Sequence, residues 1–307
     1  MQKIAIIGSG NVGSQTALFL ISEGISNILL LDTIKGLAKG KALDLEDCAA
    51  VLGRDCRIEG GDDFSLLAGC QIVVITAGLS RKPAMTRDDL LIKNSEIIND
   101  VSLKIKKYCV QPIVIVVTNP VDVMTQLVSK ASGFDTKMVF GMGISLDAAR
   151  FANLIRSRLS VPIAKIEPVV LGSHGQTMVP APHLTTVCAE PLDKSLDKGT
   201  VAKLMQSTVE RGASIIAHLG EASAYFAPGA AIAGIVRAIV KDEKRIIGVC
   251  AYCNGEYGIK GLYIGVPAKI GKNGVEGIVE LELSADEKVA FLKSAESIRQ
   301  QINSLNV

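Results

Sequence analysis

Short, continuous apolar runs alternate along the chain with longer segments of helical period. Lys3-Ile4-Ala5-Ile6-Ile7 is too short for a helix and rich in β-branched residues, which predicts a buried strand. Val12, Thr16, Ala17 and Leu20 then recur at helical spacing. Further apolar runs predict strands over 27–31, 71–76 and 112–118. Helices are predicted over 35–51, with Leu37, Ala38, Ala42, Leu45, Ala49 and Leu52 on one side, and over 88–108 through Leu91, Ile92, Ser95, Ile98, Val101 and Ile105. The first of these has more apolar positions than a solvent-facing helix needs. That surplus fits packing on the sheet and contact with a second subunit equally. Continuous apolar strands alternating with helices predict an α/β fold, a parallel sheet covered on both faces.

The alternation stops around Gly141-Met142-Gly143, which divides the chain into an N-terminal domain, 1–143, and a second domain, 144–307. Leu146-Asp147-Ala148-Ala149-Arg150-Phe151 starts a helix that puts Asp147 and Arg150 on one face. As a plain surface ion pair they would contribute well under about 1 kcal/mol. A strand over 165–171 ends in Gly172-Ser173-His174-Gly175-Gln176, a sterically open histidine between glycines. Helices are predicted over 201–218 and 222–241, the second bent near Pro228-Gly229. Strands follow over 245–253, 261–266 and 277–283. Ser284-Ala285-Asp286-Glu287 is a capping box opening a last helix, with an apolar stripe of Val289, Leu292, Ala295, Ile298, Ile302 and Leu305. The second domain is therefore α+β in pattern, and no internal repeat is present.

The first strand breaks at Gly8-Ser9-Gly10-Asn11-Val12-Gly13, just before a helix. Gly8 permits a tight turn, Gly10 close approach of a pyrophosphate, and Gly13 close packing of helix on strand. The helix start offers free N–H groups and a positive dipole end. The strand over 27–31 ends at Asp32, about twenty residues beyond the last glycine, where a carboxylate holds ribose hydroxyls. This is a dinucleotide-binding pattern of the Rossmann doubly wound type, and the anionic Asp32 favours NAD over NADP. In such sheets ligands bind beyond the carboxyl ends of the strands, where Gly8, Asp32, Gly78 and Asn119 all lie. The segment 78–87 also leaves a strand end and carries Arg81, Lys82 and Arg87. It reads as a solvated basic loop or as a lid bringing cations onto an anionic substrate, and its position favours the lid.

Composition narrows the partners. Of 307 residues 48% are hydrophobic, and the net charge of +2 comes from nearly balanced acids and bases, which argues against nucleic acid or a membrane surface. No apolar run reaches spanning length, and the chain enters a strand at once, leaving no room for a signal peptide. A cytoplasmic location is the expectation. The seven cysteines form no disulfide framework. Cys250 and Cys253 are three apart on a predicted strand, so their sulfurs face opposite sides, and no metal site is expected.

Taken as a set, the glycine turn with Asp32, the loop 77–87, Thr118-Asn119-Pro120, Leu146–Arg150 and Gly172–Gln176 resemble the lactate/malate dehydrogenase family, in order and spacing along essentially the whole chain. The loop with Arg81-Lys82-Pro83 resembles the malate branch. The resemblance implies His174 as acid/base and Asp147 as its orienting carboxylate. Arg150 would grip the substrate C1 carboxylate and Arg87 polarise the reacting carbonyl. Arg81 would select the substrate, Asn119 would sit beside the substrate oxygen, and Ser223 would line the far side of the pocket. Besides Gly8, Gly10, Gly13 and Asp32, the expected NAD contacts are Asn11, Val12, Thr76, Ala77, Gly78, Asn94, Val117 and Asn119. The implied reaction is NAD-dependent interconversion of a small dicarboxylate, malate and oxaloacetate, in a homodimer or homotetramer. Lactate or another 2-hydroxy acid is the alternative. Gln176 stands where an acid is common, Ala148 where a small hydroxyl residue is frequent, and His183 at a position often basic or polar.

Overall fold

The computed structural model describes residues 2–79, 86–220 and 222–305, with Arg87 described in its backbone alone. The first half runs β1 (Lys3–Ile7), α1 (Asn11–Ser22), β2 (Asn27–Leu31), α2 (Leu37–Val51), β3 (Arg57–Gly61), β4 (Cys70–Ile75), α3 (Arg87–Tyr108), β5 (Ile113–Val116), α4 (Val121–Ser132) and β6 (Val139–Gly141). These strands are parallel in the order β3-β2-β1-β4-β5-β6, with Ile7 opposite Leu31 on one side and Ile75 on the other. The order reverses between β1 and β4, which opens a crevice beyond their carboxyl ends. Ile4, Ala5, Ile6, Ile72 to Ile75 and Val114 to Val116 have no solvent exposure, as expected of strands covered on both faces.

The second half contains α5 (Ile144–Leu159), β7 (Ile166–Glu167), β8 (Val170–Gly172), β9 (Met178–Pro180), β10 (Thr186–Val187), β11 (Glu190–Pro191), α6 (Leu192–Ser195), α7 (Lys198–Leu219), α8 (Phe226–Val240), β12 (Arg245–Asn254), β13 (Lys260–Gly271), β14 (Gly274–Ile278) and α9 (Ala285–Ser304). The sheet does not stop at β6. It continues antiparallel through β12, β13, β8 and β9, joined where Cys250 faces Gly141 and where Gly265 faces Gly172. Helix α8 crosses α1 closely: a Cβ at Gly229 would lie 2.9 Å from Gln15 Cβ.

Several elements differ from the pattern reading. Strands β3 and β6 and helix α4 fall in stretches that reading left unassigned. β3 reads Arg-Ile-Glu-Gly-Gly and buries one residue, so it lacks an apolar run. The strand predicted over 165–171 is two strands interrupted at Pro168, which has no N–H for the ladder. Helix α8 begins at Phe226, so Pro228 occupies its first turn, where no N–H is required, and introduces no bend. The strand predicted over 277–283 ends at Ile278. The last helix has the predicted capping box, with Ser284 Oγ accepting from Glu287 N–H, but it docks through Phe291, Ser294, Ala295 and Ile298. Val289 and Leu292 of the predicted stripe face outward, 68% and 43% exposed.

Candidate active site

The glycine turn between β1 and α1 is built as its spacing demands. Gly8 has φ +101°, and a Cβ there would lie 2.6 Å from the amide nitrogen of Ala77. A Cβ at Gly13 would collide with the Gly8 carbonyl oxygen. Gly10, in contrast, is exposed, and a Cβ there would meet nothing within 4 Å. Two glycines thus serve packing, and the third leaves open space against free N–H groups, which fits a pyrophosphate. Asp32 Oδ2 accepts from Ser9 N–H at 2.7 Å and Oδ1 from Ile34 N–H at 3.0 Å. A carboxylate has about four acceptor positions, so lone pairs are left for ribose hydroxyls on a side chain already fixed in place.

Thr76 Oγ1 donates to the Gly8 carbonyl at 2.7 Å, and Thr118 Oγ1 to the Ala77 carbonyl at 2.6 Å. Asn94 is 1% exposed; its Oδ1 accepts from Leu79 N–H at 2.8 Å, and its Nδ2 donates to the Asn119 carbonyl at 2.8 Å. It braces the loops after β4 and β5 and presents almost no surface of its own. A cavity of about 190 Å³ is lined by Gly10 to Gly13, Thr76, Gly78, Ala222, Ser223 and Tyr225. The segment before α8 therefore closes the crevice opposite the glycine turn.

His174 stands on the loop between β8 and β9. Its Nδ1 lies 2.6 Å from Asp147 Oδ2, and Asp147 Oδ1 accepts from Arg150 at 3.1 Å. Asp147 has no solvent exposure and the Arg150 side chain 13%, so this is a buried array and not the surface ion pair that spacing alone suggested. The His174 backbone N–H donates to Asp122 Oδ2 at 2.9 Å. The preceding N–H, of Ser173, donates to Ser294 Oγ of α9 at 2.8 Å. A Cβ at Gly143 would come 2.9 Å from His174 Cβ, so the glycine before α5 admits the imidazole. Helices α4, α5 and α9 together fix one loop.

Burial works against a charged His174, yet the charge of Asp147, its hydrogen bond and the more distant Asp122 raise the imidazole pKa overall, with Arg150 opposing them. Burial pushes Asp122 up to about 6, against the hydrogen bond from His174 N–H. The buried Cys250 thiol also bonds the Asp122 carboxylate and opposes the rise. The array holds a proton-transfer group, its counter-charge and a guanidinium whose planar fork suits a carboxylate.

Residues 2–141 match the family model described as lactate/malate dehydrogenase, NAD binding domain. Residues 144–306 match that of the lactate/malate dehydrogenase alpha/beta C-terminal domain. The chain belongs to the lactate/malate dehydrogenase family. It is 45% identical over 307 residues to the malate dehydrogenase of Methanosarcina mazei, covering 100% of both chains. The fold superposes on the malate dehydrogenase of Cryptosporidium parvum with TM-score 0.96 at 36% identity, covering 100% of this chain and 99% of that one. It superposes on the lactate dehydrogenase of the same organism, solved with lactic acid and nicotinamide adenine dinucleotide, with TM-score 0.96 at 34% identity, covering 99% and 98%.

Of the residues singled out from the family resemblance, His174, Asp147 and Arg150 form one hydrogen-bonded array, and Gly10, Asn11, Val12, Gly13, Thr76, Gly78 and Ser223 line one cavity. Asn119 is exposed at the end of β5, and Val117 directly precedes Thr118 in the same loop. Arg81 and the side chain of Arg87 lie outside the described residues. The dehydrogenase pattern did not reveal Asp122, Gly143 or Tyr225. Asp122 had a signal, a lone acid in the apolar run Val121-Asp122-Val123-Met124. Of the departures, Gln176 is exposed and His183 pairs with Asp193 at 3.5 Å on the surface.

Proposed function

We propose that the protein is an NAD-dependent malate dehydrogenase, interconverting (S)-malate and oxaloacetate, with a dinucleotide-binding domain over 1–143 and a substrate domain over 144–307. The observation that carries this reading is the buried chain of contacts from His174 through Asp147 to Arg150. It joins a proton-transfer group to a carboxylate-binding one. When bound, the nicotinamide supplies the redox chemistry, exchanging a hydride with the substrate C2. Gly10, Asn11 and Val12 offer backbone N–H groups to the pyrophosphate, and Asp32 accepts from the ribose hydroxyls. Thr76, Ala77, Gly78 and Val117 form the crevice wall, and Asn94 keeps it in place.

In the oxidative direction neutral His174 takes the hydroxyl proton at Nε2 while its Nδ1–H donates to Asp147. The carboxylate fixes the tautomer and stabilises the imidazolium that forms. In the reductive direction protonated His174 returns the proton. Arg150 binds the C1 carboxylate in bidentate fashion. Arg87 places positive charge beside the oxygen that becomes negative, and Asn119 and Ser223 complete the pocket. Arg81 meets the second carboxylate of a dicarboxylate. An anion brought into a site closed to water without such a partner is far costlier than a lost methylene contact.

The lactate reading is retained as the rival because the fold matches a lactate dehydrogenase as well as it does a malate dehydrogenase. A steady-state NADH assay across oxaloacetate, pyruvate and branched 2-keto acids, with NADPH as control, separates them. Oxaloacetate with NADH is expected to dominate. Arg81→Gln should depress oxaloacetate turnover and relatively favour pyruvate; an unchanged preference would remove Arg81 from the selector role.

Exposed Leu43 and Val51 on α2, at 56% and 87%, support a homodimer or homotetramer, testable by light scattering. Among the described residues no helix is long and apolar enough to cross a membrane. With the balanced charge, this supports a cytoplasmic setting.

A further inference from the structure

Lys41 lies in the first turns of α2, beyond Asp32 in the sequence and outside the residues assigned above to the dinucleotide, yet its side chain ends at the glycine turn. Its Nζ donates to the Ser9 carbonyl at 2.6 Å and to Ser14 Oγ at 2.9 Å. Ser14 Oγ in turn reaches the Gly10 carbonyl at 2.9 Å and, more weakly, the Ser9 carbonyl at 3.2 Å, so Lys41 is the closer and the only charged group on that oxygen among the described residues. Ser9 has no solvent exposure and is held on its other side as well, its N–H donating to Asp32 Oδ2 at 2.7 Å.

In a trans peptide the C=O and N–H point in opposite directions. A cation that draws the Ser9 carbonyl toward α2 therefore turns the Gly10 N–H the other way, away from α2, at a residue that lines the cavity and has open space where a Cβ would stand. Glycine lowers the barrier to rotating this peptide plane. The rotated form would aim a carbonyl oxygen, and not a donor, at an incoming anion. We propose that Lys41 is a positioning residue for the cofactor: by holding the Ser9 carbonyl it locks the Ser9–Gly10 peptide with its N–H facing the pyrophosphate. Ser14 holds the next carbonyl, that of Gly10, and so extends the same orientation to the Asn11 N–H. The inference rests on the reading of this turn as the NAD site. It adds a lysine from a different helix as the group that sets the polarity of the turn.

The test is binding, read by the fluorescence of NADH, which meets no tryptophan background because the chain has none. ADP-ribose, which carries the pyrophosphate, and adenosine, which does not, are measured as competitors. A hydrogen bond to a charged group corresponds to about tenfold or more in affinity. Lys41→Met is expected to weaken NADH and ADP-ribose by about that factor, to leave adenosine unchanged, and to leave kcat at saturating NADH and the KM for oxaloacetate within about twofold. Lys41→Arg should retain most of the affinity. Lys41→Gln, neutral but still a donor, should fall between the two and serves if the methionine variant does not fold. Unchanged ADP-ribose affinity in the neutral variants overturns the proposal, as does a parallel loss for adenosine, which would mark general collapse of the turn. If the unaltered protein bound neither NADH nor ADP-ribose, the assignment of the site itself would fail before any variant was compared.

Discussion

Asp147 Oδ2 lies 2.6 Å from His174 Nδ1, and the aspartate is wholly withdrawn from solvent. A fully buried carboxylate at that distance fixes both the orientation and the protonation of the ring. Asp147→Asn keeps the shape, removes the charge and allows the wrong tautomer. A loss of about 10³–10⁴-fold in kcat/KM is expected, by analogy with carboxylate removal beside other catalytic histidines. In the proposed mechanism reduction of oxaloacetate uses the protonated ring, and Asp147 raises its pKa. The fall of reductive activity with rising pH should therefore shift to lower pH in the variant. A pH profile with an unmoved limb would refute the counter-charge role.

Gly143 tests whether room for the imidazole matters as much as its hydrogen bonds. A methyl group there would stand 2.9 Å from His174 Cβ, closer than side chains approach. Gly143→Ala should lower kcat by about 10²-fold, as a displacement on the order of 1 Å does at a catalytic group. NADH affinity, set largely at the glycine turn after β1, should change far less. Equal loss in both would point to global disturbance instead.

Asp122 gives the structure a pH-dependent cost. Its pKa rises on folding from 3.8 to about 6, mainly through burial. A group raised on folding stabilises the native state below its unfolded pKa, and that contribution disappears as pH rises through the folded value. The protein should therefore lose stability between about pH 4 and pH 7 from this residue, by roughly 3 kcal/mol at most. Asp122→Asn keeps an acceptor for the His174 N–H without the charge. Calorimetry should show it melting a few degrees above the parent at pH 8, with the advantage gone at pH 4.5. An equal offset at both values would rule out the titration.

Asp32 pins Ser9 and Ile34, and under the proposed function it also repels a ribose phosphate. Asp32→Ser should raise the KM for NADH about tenfold while lowering that for NADPH. The preference ratio from initial rates with both coenzymes checks this. A variant that lost NADH affinity without gaining on NADPH would show that anchoring is the residue's sole contribution.

How much of this was legible beforehand depended on whether the information was local. Lys3–Ile7 and Asn27–Leu31 stand where an apolar run of that length requires. Gly8, Gly10 and Gly13 at fixed offsets carry the turn in their own conformational needs. Asp147 and Arg150 were placed on one helical face by spacing, but their burial comes from packing against His174, 27 residues away from Asp147, and spacing holds no record of it. Strand β3 exists because β2 offers it a ladder, not because Arg57-Ile58-Glu59-Gly60-Gly61 prefers extension. The family resemblance named Asn94 as an NAD contact; only the closeness of Leu79 and Asn119, which no spacing records, makes it a brace.

One sheet carries both ends of the reaction. The β6–β12 and β13–β8 pairings tie β1, which leads into Gly8, to β8, which leads into the His174 loop, through an unbroken series of ladders. The spacing between the glycine turn and the His174 loop is thereby set by backbone pairing. A substitution confined to the connecting loops would leave that alignment of strands untouched.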